Sequence, residues 1–573
     1  MKKILMLVTA LAVFFCGRAV AEPLEITIYL PRTASDLNST TYSYDYIPLD
    51  APIANTKGVD MVQNGPAGQS SSLFIRGTES DHSLITLNGI PIKDNSTPSG
   101  ADDLSQHSLL GMNNIVVIKG PVSNVYGPNA AGGVVDMQTT TIGDNYVDFT
   151  IGSNNYVSKE ISIVDKKFDD NHNFKLVLNQ TTTDGISVYA DGTEDDPLET
   201  NSYNFNWDYY SNKYVLTFNK IYDRNESNLD SSSADVLNYT GDWIWNNNQI
   251  IWQAEDTKVV LNNSTHDRTY NKNNVVDEYN SENNSYFVEH KFNKENYDYI
   301  IGWDYTESSA DFATNINNYQ SSVNENRYTT GAFFELDKMY SNGIISFSSR
   351  LDSISDFDNQ VSSRIGGSYN NFRASYSQGY RLPTLYEMYG IDSYGYNGNP
   401  NLETEDLDSY EIGYRNNGFD IALFYIEESN PITYQSSTYV NVAEGGDSKG
   451  VEVSYNKDYK GYFFNTSTTY TEAKLANGND KLRRPNWINN TSISKDIFKI
   501  NMNYHGSHKD IDGTTYATVD KPSVTTFDFE VNKTIENKML YFGLYNITDV
   551  DYERPDGYNQ DGINFKAGIK IIM

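Results

Sequence analysis

The chain of 573 residues holds a single cysteine, Cys16. It lies in an opening stretch where Lys2 and Lys3 precede an apolar run from Ile4 to Phe15 and then "AVA" at 19–21. A basic start, a short apolar stretch and small residues at −3 and −1 predict a secretory leader over 1–21, cleaved before Glu22. The run is too short to span a bilayer as a helix. Phe15 is too bulky before Cys16 for a lipoprotein signal. The mature chain then has no thiol, so disulfides cannot stabilise it. Nowhere do 18 consecutive apolar residues occur, which excludes a helical membrane protein. Basic residues are also scarce, 43 Lys and Arg against 76 Asp and Glu, for a net charge of −33, or −36 once Lys2, Lys3 and Arg18 leave. That balance argues against nucleic-acid binding, whose phosphate contacts need Lys and Arg. Glycine-lysine followed by Ser or Thr is missing from "KGPV" and "GPNAAGG", so no phosphate loop is read there. His-Glu-x-x-His is absent, and the Gly-x-Ser-x-Gly spacing of "GDSKG" (446–450) runs on into the alternating "VEVSY" rather than into a helix, so it is no nucleophile elbow and no enzymatic activity is expected.

What is abundant is tyrosine, 45 residues, set in short alternating runs from about residue 146 onward. In "YVDFTIGS" (146–153) Val147, Phe149 and Ile151 share one face, and Asp148, Thr150 and Gly152 the other. "FKLVLNQ" (174–180), "YVLTFNK" (214–220) and "GFDIALFYI" (418–426) repeat this period of two, the strand signature. "SNG" (341–343) and "NNG" (416–418) have hairpin-turn chemistry, while stretches such as "ADGTEDDPLETNS" (190–202) are long polar loops. Short turns at one end, long loops at the other and one apolar face per strand predict a transmembrane β-barrel of antiparallel strands. Closing the sheet leaves no unpaired edge in hydrocarbon, and tyrosine suits the interfacial girdles. A secreted β-sandwich or adhesin shares the alternation. The last strand, "NFKAGIKIIM", favours the barrel: Phe565, Ala567, Ile569, Ile571 and Met573 form an apolar stripe to the end, although Met573 stands where an aromatic is usual.

Residues 36–142 read differently, as short strands around glycines. In "SSLFIRGTESDHSLITLNGIPIKD" (71–94) the residues Arg76, Gly77, Leu87, Asn88 and Gly89 match the plug-domain core of TonB-dependent outer-membrane receptors, with Asn88 in place of the usual Asp. In "NNIVVIKGPVSNVYGPNAAGGVVDMQTT" (113–140) a second block matches through Lys119, Gly120, Pro121, Tyr126, Gly127, Ala130, Gly132, Gly133 and Val134; Lys119 replaces the commoner Arg, and Val116 a typical Glu. The chain therefore resembles that receptor family. "SQGYRLPTLYEMYG" (377–390), "GNPNLETEDLDSYEIGY" (398–414), "YVNVAEGGDSKGVEVSY" (439–455) and "LYNITDVDYERPDGYNQDG" (544–562) extend the likeness over nearly the whole mature chain.

The resemblance implies a barrel of about 22 strands over 143–573, an α+β plug in its lumen over 36–142, and a TonB-box segment over 22–35. The box is placed at Leu24, Glu25, Ile26, Thr27, Ile28 and Tyr29, an extended segment able to add as a strand to a partner's sheet edge. The implied partner is the inner-membrane TonB–ExbB–ExbD complex, the setting a Gram-negative outer membrane and its lipid, and the receptor a monomer. The plug glycines are expected to serve tight turns, and Arg76 and Lys119 to pair with carboxylates of the lumen wall. The implied function is active uptake of a scarce metal chelate. Within the family the local likeness is to its cobalamin receptor, where acidic loops bind calcium. Asp191, Glu194, Asp195, Asp196, Tyr222, Asp223 and Asp235 are the candidate calcium ligands; no EF-hand spacing occurs, so this rests on the resemblance. A ferric siderophore is the alternative cargo, and an uncoupled porin or adhesive barrel the alternative class. Heme is disfavoured, because 380–402 contains no histidine.

Overall fold

A computed structural model describes residues 39–43, 53 and 56–573, apart from 170, 232, 315–319 and 394. The leader and the segment Leu24–Tyr29 lie outside the described residues.

The N-terminal part folds around a five-stranded mixed sheet in the order Ser39–Ser43, Met112–Lys119, Gly133–Thr139, Ser83–Leu87, Ile90–Pro91. Only Ser83–Leu87 and Gly133–Thr139 run parallel. A sheet covered on both faces needs apolar side chains at consecutive positions rather than alternate ones. "IVVI" supplies them: Ile115 and Val117 pack on one face with Ile75, Ile85, Leu87 and Val135, while Val116 and Ile118 pack on the other with Leu84, Val125, Tyr126 and Val134. Trp245 and Ile221 of the surrounding wall join the first cluster, so plug and wall share a core there.

Around it, the described residues form a closed antiparallel barrel of 22 long strands, from Tyr146–Gly152 to Asn564–Ile572. Those two strands pair to shut it, with Phe149 opposite Ile569 and Val147 opposite Ile571. The side-chain alternation predicted from sequence appears as two faces. Leu423 and Tyr425 are exposed on the outer surface, while Asp420, Ala422, Phe424 and Ile426 are buried toward the lumen. Val147, Phe149 and Ile151 face outward likewise, and Asp148 and Thr150 inward. The turn at 416–419 puts Asn417 and Gly418 at positive φ, 51° and 85°, as a two-residue hairpin requires. Among the described residues no helix is long and apolar enough to cross a membrane; the crossing is made by strands.

Short turns such as those at 416–419 and 459–462 mark one end of the barrel, and long loops such as 381–405 and 505–524 the other. Strand lengths are unequal: Tyr146–Gly152 has 7 residues, whereas Val275–Lys294 and Ser321–Tyr340 each have 20. About 9–11 residues suffice to cross the bilayer, so the wall stands tallest where these long strands lie, and its excess height lines the mouth.

Candidate functional site

Two places carry chemistry: the seam that ties the plug to the wall, and the mouth above it.

At the seam, strand Ser71–Ile75 ends in Arg76, whose backbone takes a positive φ of 54° while its N–H donates to the Gly58 carbonyl at 2.7 Å. The bend throws the guanidinium at the wall. Nε donates to Glu452 at 2.8 Å and Nη2 to Glu411 at 2.6 Å, and the group sits 4.8 Å from the Phe424 ring centroid. Gly77 follows at φ 77°, so close to the wall that a Cβ would lie 2.9 Å from both Ser448 Oγ and Thr471 Cγ2; only glycine satisfies both demands. Lys119 Nζ reaches Glu452 at 2.5 Å. Lys57 pairs with Asp420 at 2.7 Å; Asp420 also takes Arg373 and Arg415, and Arg373 returns to Glu411 at 2.9 Å. Positive and negative groups thus alternate through one network spanning two bodies. Burial pulls the Arg76 pKa down, but Glu452 and Glu411 more than offset it and hold the guanidinium charged. For Lys119 burial wins, leaving its amine at about 8 despite Glu452.

The remaining plug-motif residues are structural. Asn88 (φ 52°) donates through Nδ2 to Gln249 of the wall at 2.8 Å, and Gly89 N–H to Asp136 at 2.7 Å. Gly133 at φ 155° leaves no room for a side chain, since a Cβ would lie 2.4 Å from the Ile118 carbonyl oxygen. Gly132 packs on Thr78 and His82, and Gly127 on Arg350. Gly120 and Pro121 lead into the short helix Ser123–Tyr126, whose Tyr126 is buried.

At the mouth the acidic loops come together, though not with the membership expected from sequence. Ligand oxygens of Glu194, Asp196 and Asp230 lie within 4.8 Å of one another. Backbone N–H groups fix the set: Val188 donates to Asp196 at 2.7 Å, Tyr189 to Asp230 at 3.1 Å, and Thr193 to Asp235 at 3.0 Å. Burial together with Asp235 pushes Glu194 up to about 7, and burial with Asp230 beside it pushes Asp196 up to about 7. Asp196 is 1% exposed, and its Oδ1 has no hydrogen-bond partner. Crowded oxygens with an unused buried acceptor fit a hard divalent cation.

Of the predicted ligands, Glu194 and Asp196 form this group and Asp235 adjoins it. Asp191 and Asp195 are exposed and lie outside it. Tyr222 and Asp223 are corrections. Neighbours on a strand point to opposite faces: Tyr222 stacks on Tyr203 on the outer face at 5.3 Å, while Asp223 turns into the lumen and accepts the Ser108 N–H of the plug at 2.7 Å. Asp230 was missed; it lies two residues past the end of strand Val215–Asn228, where the alternation no longer dictates direction.

Inside the tall wall a chain of rings rises to the mouth. Trp243, Tyr270, Tyr279 and Phe312 from successive strands are 5.8, 5.5 and 4.8 Å apart centroid to centroid. Phe312 meets Tyr386 at 6.0 Å, Tyr386 meets Tyr396 at 4.9 Å, and Tyr396 meets Tyr439 at 5.7 Å. The loop carrying Tyr386 and Tyr396 is held by a capping box, Thr384 with Glu387, on helix Leu385–Tyr389. Tyr396 Oη donates to the Tyr386 carbonyl at 2.7 Å, and Arg381 ties the loop to Asp81 of the plug at 2.7 Å. Thr384 Oγ1 donates to the carbonyl of the plug's Pro98 at 2.9 Å, a second tie between this loop and the plug.

The family model described as "TonB dependent receptor-like, beta-barrel" matches residues 142–547, and that of the "TonB-dependent Receptor Plug Domain" residues 49–134. Among solved structures, the siderophore receptor PirA from Acinetobacter baumannii is similar over 94% of this chain and 98% of its own, at 14% identity and a TM-score of 0.75. The ferric yersiniabactin uptake receptor FyuA from Yersinia pestis matches over 94% and 98%, at 14% identity and a TM-score of 0.74. The FrpB iron transporter from Neisseria meningitidis matches over 93% and 97%, at 11% identity and a TM-score of 0.75. At such identities the likeness is one of fold.

Proposed function

Because the chain belongs to the TonB-dependent receptor family, whose members are transport receptors and not enzymes, we propose that it imports cobalamin across a Gram-negative outer membrane. The observation that carries the cargo is the mouth itself: a half-buried acidic group with an unused acceptor at the buried Asp196, and a wall of stacked rings. Acidic loops repel anionic chelates, whereas a neutral macrocycle can lie against aromatic faces without that penalty. Glu194, Asp196, Asp230 and Asp235 would hold calcium, which supplies the positive charge that lets these loops close over cargo. TonB would grip Leu24–Tyr29, with ExbB and ExbD energising it, and load the ion-pair network through Lys57. Release follows if cargo binds the resting plug more tightly than the pulled one.

The test is a titration of the refolded receptor with cyanocobalamin, with calcium and with chelator, followed by intrinsic fluorescence. Tight binding that weakens on chelation is expected. Binding indifferent to chelation removes calcium from the reading. Failure to bind in either condition moves the cargo to a ferric siderophore of low charge. That second reading draws on the same rings, which suit aromatic chelators, and on the siderophore and iron receptors sharing the fold.

A further inference from the structure

The acidic group at the mouth does not rest on barrel loops alone. Strands Val59–Gln63 and Ser71–Ile75 of the plug pair antiparallel, from Val59 opposite Ile75 to Gln63 opposite Ser71, as a two-stranded ribbon apart from the five-stranded sheet. Val59, Leu73 and Ile75 root this ribbon in the core shared with the wall. Its base is the ion-pair network: Lys57 and Gly58 lead into it, and Arg76 closes it with an N–H bond to the Gly58 carbonyl. Five residues at roughly 3.4 Å each carry the chain from that base to the ribbon's tip.

The tip, 64–70, is a braced turn. Asn64 N–H donates to the Ser70 carbonyl at 2.9 Å, and Gln63 Nε2 to the Pro66 carbonyl at 2.9 Å. It sits against both segments that carry the acidic group. Gln69, 4% exposed, donates through Nε2 to the Asn228 carbonyl at 2.8 Å and to Ser227 Oγ at 3.3 Å. Asn228 N–H donates in turn to the carbonyl of Pro197, the residue after Asp196, at 3.2 Å, and Asn228 itself stands just before Leu229 and Asp230. The other segment meets the tip by packing. A Cβ on Gly65 would lie 3.2 Å from Val188 Cγ1, and one on Gly68 2.9 Å from Leu198 Cδ1. Val188 is the residue whose N–H holds Asp196. The flank is tied as well. Arg554 pairs with Asp60, Gln560 Nε2 donates to the Gln63 carbonyl at 3.1 Å, and Asn559 of the same loop donates its N–H to the Val188 carbonyl at 3.0 Å.

We propose that the plug builds the cation site at the mouth: Gln69 is a positioning residue that sets Asp196 and Asp230 against each other, and the site binds a divalent cation tightly only while the ion-pair network at the ribbon's base is closed. The inference rests on the calcium reading above. Calcium takes its oxygens at about 2.3–2.6 Å, so carboxylates displaced by even an ångström no longer close on one ion. The wall strands do not supply that precision. Asp196 lies before strand Leu198–Tyr210 begins, and Asp230 after Val215–Asn228 ends. Beyond the strands, backbone contacts fix both residues, and Gln69 of the plug holds the carbonyl they converge on. Asp196 Oδ1, buried without a partner, marks where the ion would enter.

Terbium luminescence on the refolded receptor, with calcium as competitor, tests this. Gln69→Met keeps the bulk of the tip and removes the donor. Terbium affinity should fall about fivefold, as loss of one buried hydrogen bond implies, with barrel unfolding unchanged. Glu452→Ala, at the ribbon's base and far from the acidic loops in sequence, should lower the affinity too, and Lys57→Gln, milder and at the same base, repeats that arm. Asp94→Asn breaks the plug's 2.9 Å pair with Arg268 on another part of the wall and should bind terbium as the parent does. Parental affinity in Gln69→Met, or in both base variants, overturns the inference and leaves the calcium reading standing. A loss in Asp94→Asn equal to theirs overturns it as well, since any loosening of the plug would then suffice. A parent that binds no terbium removes the calcium reading itself, and this inference with it.

Discussion

Glu452 at the plug's flank and Asp196 at the mouth are shielded alike, 0% and 1% exposed, yet their company is opposite. Glu452 is met by two cations, Arg76 and Lys119, both from the plug. Asp196 is met by Asp230 and Glu194. A buried carboxylate needs a counter-charge or a proton. The seam brings its own and is complete when the plug is seated; among the described residues the acidic group at the mouth has carboxylates for company. The first arrangement is a latch whose strength is fixed by sequence; the second, on the calcium reading proposed above, would be a switch set by what the medium supplies.

The comparison breaks most visibly at the latch. Glu452→Ala leaves Arg76 and Lys119 buried without their shared partner, and removing one member of a buried pair costs about 3–5 kcal/mol. The expected outcome is an intact barrel with a loosened plug, read as faster amide exchange over 71–87 and 112–119 and as leakage of a large antibiotic. Protection equal to that of the parent would show that the network does not seat the plug.

At the mouth, Asp196→Asn should lower calcium affinity at least about tenfold, because affinity follows ligand charge and number, while the latch stays indifferent. Terbium luminescence reads this directly. The pH response has a definite sign. The pKa values of Glu194 and Asp196 are raised to about 7 in the folded protein, so between about 4 and 7 the folded loops hold more protons than unfolded ones. Without a cation, loop stability is therefore present below the unfolded carboxylate pKa and is lost as pH rises through 7. If calcium binds as proposed, it would have to displace those protons, so its affinity should fall as pH drops below 7, by up to about tenfold per unit for each proton released. Affinity that stays flat from pH 7 to 5 would show that the carboxylates are already ionised.

Much of this was legible in the chain. Alternation such as Phe419, Ile421 and Leu423 against Asp420 and Ala422 needs only the period of two, and the barrel follows from it. The apolar run Ile115–Ile118 marks a strand covered on both sides. Tyr222 and Asp223 could have been separated by the same period, since adjacent strand residues cannot share one site. Asp230 could not, because it lies in a loop where direction comes from the Tyr189 and Val236 N–H groups that hold it. The ring chain was hidden for another reason. Tyrosine serves the outer girdle, where Tyr286 and Tyr410 lie exposed, as readily as the lumen. Only the fold of the loop around 384–396 decides that Tyr386 and Tyr396 complete the inner set.

That inner set gives the smallest effect and the sharpest control. Tyr279 lies mid-chain, between Tyr270 and Phe312, and Arg268 covers its ring at 4.8 Å. It touches neither the latch nor the acidic loops. Tyr279→Ala removes one stacking face, worth about 0.5–1.5 kcal/mol, so cargo affinity should drop roughly two- to tenfold with calcium affinity and plug protection unchanged. Tyr279→Phe keeps the face and should bind as the parent does. If Tyr279→Phe lost as much as Tyr279→Ala, the hydroxyl rather than the ring would be the contact. The mouth would then recognise cargo by hydrogen bonding, and the preference for a neutral aromatic-facing macrocycle would lose its basis.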